Sequence, residues 1–233
     1  MKELLIADDH PLFREALRGV LARAFPHTAI HEAASLSRLY ELIEQHPDAD
    51  ILLLDLDMPG ASGFSALVHL QAHCPQLPIV IVSGHDEPSL MRRALDHGAM
   101  AYIPKSADAA TLTHALQSVL DGDTWLPDTV SAAPGADQAE RDAAARLRDL
   151  TPQQFRILQM VAAGQLNKQI AHELNVSEAT VKAHMTAILR KLRATNRTQA
   201  VLIANRLGLT AVGAAGTAGI SEAAGLNGVR AET

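Results

Sequence analysis

Aromatic side chains are scarce in this chain, at 3% of 233 residues, although 48% of the residues are hydrophobic. Its cores must therefore be built mainly from Leu, Ile, Val and Ala. Cysteine occurs once, at Cys74, which excludes an intrachain disulfide and any multi-cysteine metal centre. A buried, inert thiol is its expected role. No apolar run of about 18 residues occurs, and the chain opens on Met1-Lys2-Glu3 rather than on a signal-peptide pattern. These absences point to a cytoplasmic protein with no membrane partner. Positive charge is also thin over the first part of the chain. Residues 1–127 hold 8 Lys/Arg against 17 Asp/Glu, residues 128–149 hold 3 against 5, and residues 150–210 hold 8 against 2. The net charge of -6 thus hides an acidic body joined to a basic unit, and only the second is suited to a polyanion.

Short apolar runs at residues 4–7, 51–54, 79–82 and 99–103, with a weaker one at 28–31, have the length of strands buried on both faces of a parallel sheet. Helix-spaced segments at 11–24, 35–45, 63–73, 87–97 and 107–120 alternate with them, with Ser35 and Ser62 as N-cap candidates and Pro88 in a first turn. The pattern predicts an α/β doubly wound domain with a five-stranded parallel sheet over residues 1–125. Residues 126–148 read as a linker, helical over 138–148. A small all-α unit follows over 149–210, and the Ala/Gly-rich stretch 211–233 is expected to be disordered.

In a doubly wound sheet the active crevice lies beyond the carboxyl ends of the strands. Asp8 and Asp9 follow the first apolar run, Asp55 the second, Ser83 the third, and Lys105 the last. If the first and third strands are neighbours, the three carboxylates converge. They would then raise each other's pKa unless a cation is present, and Mg²⁺ suits an all-oxygen donor set. Solvated loop acids are the bland alternative for any one of these residues, but not for the set. The stretches Ile6-Ala7-Asp8-Asp9-His10, Leu53-Leu54-Asp55-Leu56-Asp57-Met58-Pro59-Gly60, Val82-Ser83 and Tyr102-Ile103-Pro104-Lys105 resemble the receiver domain of bacterial response regulators. The resemblance implies a flavodoxin-like fold with Asp55 as phosphoacceptor. Asp8, Asp9, Asp55 and the backbone carbonyl of Asp57 become the Mg²⁺ ligands. It makes Ser83 and Lys105 the phosphoryl-sensing pair and Tyr102 a switch aromatic, with plain strand packing open for Tyr102. Receivers often carry Pro after the lysine; here Ser106 stands there and Pro104 precedes it.

In the basic unit, Thr151-Pro152 starts a helix well and Gly164 ends it. Two further helices, joined through Asn175-Val176-Ser177, have the spacing of a helix-turn-helix. The second places Glu178, Lys182, Thr186 and Arg190 opposite an apolar stripe of Val181, Met185, Ile188, Leu189 and Leu192. Residues 150–152, 164–171 and 174–184 resemble the DNA-binding domain of NarL/FixJ-type (LuxR-like) regulators. That resemblance implies base reading by Lys182, Ala183 and Thr186 and backbone contacts from Asn167, Lys168 and Thr180; Arg190, from its place opposite the apolar stripe, can meet phosphates or base edges. It also implies a dimer contact through the last helix, about residues 198–206. The partners implied are a sensor histidine kinase, double-stranded DNA and a second copy of the chain when phosphorylated. The expected function is a two-component response regulator, not an enzyme beyond self-catalysed phosphotransfer and autodephosphorylation. His69 and His73, at i and i+4, form a metal pair on paper, but no third ligand is evident and a solvated helix face is expected.

Overall fold

In the computed structural model of the chain, the described residues are 2–58, 61–127, 130 and 133–209. The stretch read as a disordered tail lies outside them. Five strands, β1 (Glu3–Ala7), β2 (Ala29–Ala33), β3 (Ile51–Leu54), β6 (Ile79–Ser83) and β7 (Ala101–Pro104), form one sheet in the order β2-β1-β3-β6-β7. All the pairings are parallel, and β1 neighbours β3 in register Ala7–Leu54. The order reverses at β1, the switch point where such sheets open their crevice. A two-stranded ribbon, β4 (Asp57–Met58) against β5 (Ala61–Ser62), follows β3. It was not legible in the sequence, because two-residue strands carry no periodicity.

The strand residues alternate between two cores. Leu4, Ile6, Ile51, Leu53, Val80, Val82 and Ile103 face α1 (Pro11–Ala24) and α5 (Ala109–Leu120). Leu5, Leu52, Leu54, Ile79, Ile81 and Tyr102 face α2 (Leu36–Gln45), α3 (Ser65–His73) and α4 (Pro88–Asp96). Side-chain caps hold the starts of α2 and α5, with Ser35 accepting from the Arg38 N–H and Asp108 from the Thr111 N–H. The expected Ser62 cap is displaced: α3 begins two residues later than read, with Phe64 at the N-cap and no side-chain bond there. Gly63 takes φ +66°, a left-handed turn that delays the helix.

The second core does not stop at α3. It continues without a break into α6 (Gln138–Arg148), α7 (Pro152–Ala162), α8 (Asn167–Glu173), α9 (Glu178–Leu192) and α10 (Arg197–Asn205). The segment read as a linker contains a packed helix, with Ala143, Ala144 and Leu147 of α6 buried. Helix α3 is consequently covered all round, with Ser65 to Leu70 buried without interruption. His69 corrects the solvated-face reading. It is fully buried, stacked on Phe155 of α7 at 4.1 Å between ring centroids and 11° between planes. Tyr40 Oη pairs with its Nδ1 at 3.0 Å. Burial lowers the His69 pKa to about 3, with neighbouring His73 acting in the same sense. Cys74 is half-buried rather than buried, and that partial burial raises its thiol pKa. A second polar bridge joins the halves: Glu140 of α6 meets Arg93 Nε at 3.0 Å and His97 Nε2 at 2.6 Å.

In the all-α half, Thr151 caps α7 in a full capping box with Gln154, and Pro152 occupies the first turn. Ser177 caps α9 by accepting from the Thr180 N–H. Gly164, at φ +82°, follows the end of α7 as expected.

Candidate functional site

The carboxyl ends of β1, β3, β6 and β7 bring the expected residues together. Asp8 and Asp55 are each 2% exposed, and Ser83 is fully buried. Lys105 reaches across from the end of β7, its Nζ 2.7 Å from Asp8 Oδ2 and 2.8 Å from Asp55 Oδ2. Its backbone is fixed by a bond from the Lys105 N–H to the Ser83 carbonyl at 2.7 Å, and its ammonium lies 4.8 Å from the Phe13 ring centroid.

Burial raises the Asp55 pKa, against the lowering effect of hydrogen bonds from Lys105 and from the Asp57 N–H. For Lys105, burial alone would lower the pKa, but the two carboxylates outweigh it and the net direction is up. Asp55 is thus a buried carboxyl beside one fixed cation. Asp8, Asp9, His10 and Asp55 offer ligand atoms that all lie within 4.8 Å of one another. The donors are mostly carboxylate oxygens, which fits a hard divalent cation.

Two residues that sequence reasoning did not single out stand at this rim. His10 Nδ1 lies 2.8 Å from Asp9 Oδ1 and 3.2 Å from Asp8 Oδ1. His85 Nε2 lies 3.1 Å from Asp57 Oδ2, and the His85 N–H donates to Ser83 Oγ at 3.3 Å. The signal available for each was adjacency, two residues beyond a site residue at a strand end. Tyr102 is fully buried, and its hydroxyl donates to the His85 carbonyl at 2.8 Å. Burial pushes its phenol pKa up to about 12. Tyr102 thus points inward here.

Helix α9 presents Lys182, Ala183, Thr186 and Arg190 to solvent, while Val181, Met185, Ile188 and Leu192 are buried beneath. The Thr186 hydroxyl donates back to the Lys182 carbonyl at 3.1 Å. Lys168 is exposed and Thr180 half-exposed, its hydroxyl 2.8 Å from Ser177 Oγ. Asn167 stands apart from this face in its bonding: its Oδ1 accepts from Arg197 Nη1 at 3.2 Å, bracing α10 against α8. Lys191 donates to Asp149 O at 2.8 Å and to Gln154 Oε1 at 2.7 Å, tying α9 to the start of α7.

The two units meet beside the acidic rim. The Ser65 N–H at the start of α3 donates to the carbonyl of Leu207, just past α10, at 3.1 Å. A Cβ placed on Gly63 would fall 2.5 Å from that same carbonyl oxygen, so the approach requires glycine. A cavity lined by Leu56, Asp57, Gly63, His85, Arg93 and Gly208 among others lies along this seam. Leu202 of α10 points outward, 61% exposed.

Comparison with known proteins agrees with this division. Residues 4–117 match the response regulator receiver domain, and residues 148–204 match the bacterial regulatory proteins of the luxR family. The chain is 41% identical over 217 residues to the glycerol metabolism activator of Pseudomonas putida, covering 91% of this chain and 98% of that one. It is 33% identical over 203 residues to the nitrate/nitrite response regulator NarL of Escherichia coli K12, covering 85% and 93% respectively. In fold it is similar to RcsB from Salmonella enterica serovar Typhimurium, solved bound to a promoter with the phosphomimetic BeF₃⁻. The TM-score there is 0.53 at 24% identity, over 88% of this chain and 98% of that one. With both units matched in order and a relative aligned almost end to end, the chain belongs to the LuxR-type, NarL-like response regulators of two-component systems, which control transcription.

Proposed function

We propose that Asp55 accepts a phosphoryl group from a sensor histidine kinase and that the new charge alters DNA binding by α9 through a dimer built on α10. The observation that carries this reading is the Lys105 ammonium held within 2.8 Å of two buried carboxylates, Asp8 and Asp55, at adjacent strand ends. Asp8, Asp9, Asp55 and the carbonyl of Asp57 would hold Mg²⁺, which neutralises charge on the phosphoryl oxygens when bound. The remaining work belongs to the chain. An Asp55 carboxylate oxygen attacks phosphorus as the bond to the donor breaks, and Lys105 exchanges its contact with Asp55 for one with a phosphoryl oxygen. The Ser83 hydroxyl donates to another. That draws on the His85 N–H, now bonded to Ser83 Oγ, and through the His85 carbonyl on Tyr102. In autodephosphorylation water attacks the phosphorus as its bond to the Asp55 oxygen breaks and inorganic phosphate leaves; with the self-catalysed phosphotransfer, this is the only catalysis assigned to the protein.

The output follows from what is already exposed. Lys182, Ala183, Thr186 and Arg190 face solvent in this arrangement, so control acts less by uncovering α9 than by freeing α10. The end of α10 is held by the loop that follows Asp55, through the Leu207–Ser65 bond, and a shift of that loop loosens it. Leu202 and its helix then pair with a second copy, and two linked α9 helices bind two half-sites on double-stranded DNA more tightly than one. Lys168 and Thr180 contact the phosphate backbone, while Asn167 serves through its brace on Arg197. The receiver occupies residues 1–125 and the DNA-binding unit 149–210.

The test is phosphorylation with a small radiolabelled phosphodonor in Mg²⁺. The wild type acquires a hydroxylamine-labile phosphate and a phosphodonor-dependent rise in DNA affinity. Asp55→Asn loses both. Full labelling of Asp55→Asn would overturn the assignment.

A further inference from the structure

At the opposite end of β1 from the acidic rim, three side chains from separate elements meet. Glu3 opens β1, His31 sits in the edge strand β2, and His46 follows the last turn of α2. His31 pairs with Leu5 in the ladder, so it shares a face with Glu3, two residues away, and that face is the one α2 covers. Their ligand atoms all lie within 4.8 Å of one another. His46 Nδ1 is 3.2 Å from Glu3 Oε2, and the His31 and His46 rings are stacked with centroids 3.7 Å apart. The Nε2 atom of His31 is buried and has no hydrogen-bond partner.

Hydrogen bonding alone accounts poorly for this cluster. Protonating both imidazoles would stack two cations face to face with the single Glu3 carboxylate beside them. Leaving both neutral strands a buried ring nitrogen, which costs the desolvation of an unpaired polar group. A cation accepted by the ring lone pairs removes both difficulties. We propose that Glu3, His31 and His46 form a binding site for a transition-metal ion of the Zn²⁺ class, distinct from the acidic rim.

Two imidazoles and a carboxylate, with a fourth position left for water, are the donors of tetrahedral Zn²⁺. Mg²⁺ and Ca²⁺, which demand oxygen ligands throughout, do not suit them. Because a metal lies in the plane of each ring it binds, the two imidazoles must open from their present 26° interplanar angle as they close on the ion. The Glu3 end is already anchored, since its N–H donates to Asp50 Oδ2 at 2.7 Å. Bound metal would pin the edge strand β2 to β1 and to the end of α2. His69 and His73 are also stacked, but among the described residues no third ligand joins them.

The experiment uses tag-free, full-length protein carrying Asp9→Asn and Asp55→Asn, which disables the acidic rim as a competing site. Zn²⁺ is titrated against a chromophoric chelator in excess Mg²⁺, and Co²⁺ is added separately for its visible absorption. One equivalent of Zn²⁺ is expected, with an intense tetrahedral Co²⁺ band. His31→Gln and His46→Gln should each weaken binding at least tenfold and remove the band, while His73→Gln leaves both intact. Far-ultraviolet circular dichroism confirms that each variant is folded. Absence of binding in the rim-disabled protein, or binding undiminished in both His31→Gln and His46→Gln, would overturn the proposal.

Discussion

The two faces of the receiver sheet are built from the same strands, yet they end differently. Helices α1 and α5 close one face and then meet water, as the exposed Leu12 on α1 illustrates. On the other face α3 is buried again by α6 and α7, so its core is shared with the all-α half. The first face stabilises the receiver alone. The second makes receiver stability and domain docking one quantity, and the polar groups caught in it, His69, Glu140 and His97, are charges or potential charges at a joint.

The largest expected effect that would break this contrast is Phe155→Ala. It removes a fully buried ring from the α7 core together with its stack on His69, and should cost about 3–5 kcal/mol. Leu21→Ala on the opposite face should cost a comparable amount while leaving the halves docked. Chemical denaturation followed at separate probes in each half distinguishes them: only Phe155→Ala should separate the two transitions.

Acid should act on the same face. The folded pKa of His69, about 3, is depressed below the unfolded value, so the neutral ring stabilises fully above about pH 6.5. That contribution falls as pH drops towards 3, and about 2 kcal/mol should be gone by pH 5. Urea midpoints at pH 7 and pH 5 measure it. His69→Gln should flatten the difference, and an unchanged slope would show that the joint is not acid-sensitive through this ring.

A smaller effect sharpens the comparison. Asp108→Ala and Thr151→Ala each delete an N-cap worth about 1 kcal/mol, but Thr151 starts a helix at the shared face and Asp108 starts α5 on the other. Thermal melts should show similar losses, with accelerated proteolysis between the halves confined to Thr151→Ala.

Much of this was legible in the sequence because it rests on local rules. Ser35, Thr151 and Ser177 cap where their spacing says, and Asp8, Asp55, Ser83 and Lys105 converge because each follows an apolar run in a parallel sheet. What escaped depends on distant cover. His69 reads as solvated until Phe155, far along the chain, is laid over it. The start of α3 escaped because it obeys the turn at Gly63 rather than Ser62. His10 and His85 stand two residues beyond Asp8 and Ser83, a local signal that escaped because adjacency alone does not say where a side chain turns.

The contact between Gly63 and Leu207 has a mechanical consequence. Side chains can yield by changing rotamer, but here two main chains abut, with no intervening group to absorb a displacement. On the proposed mechanism, a shift of the loop at Gly63 would therefore be delivered rigidly, like a cam bearing on its follower. Substitutions that leave position 63 bare can alter how hard the two parts press together, but not how far one moves the other.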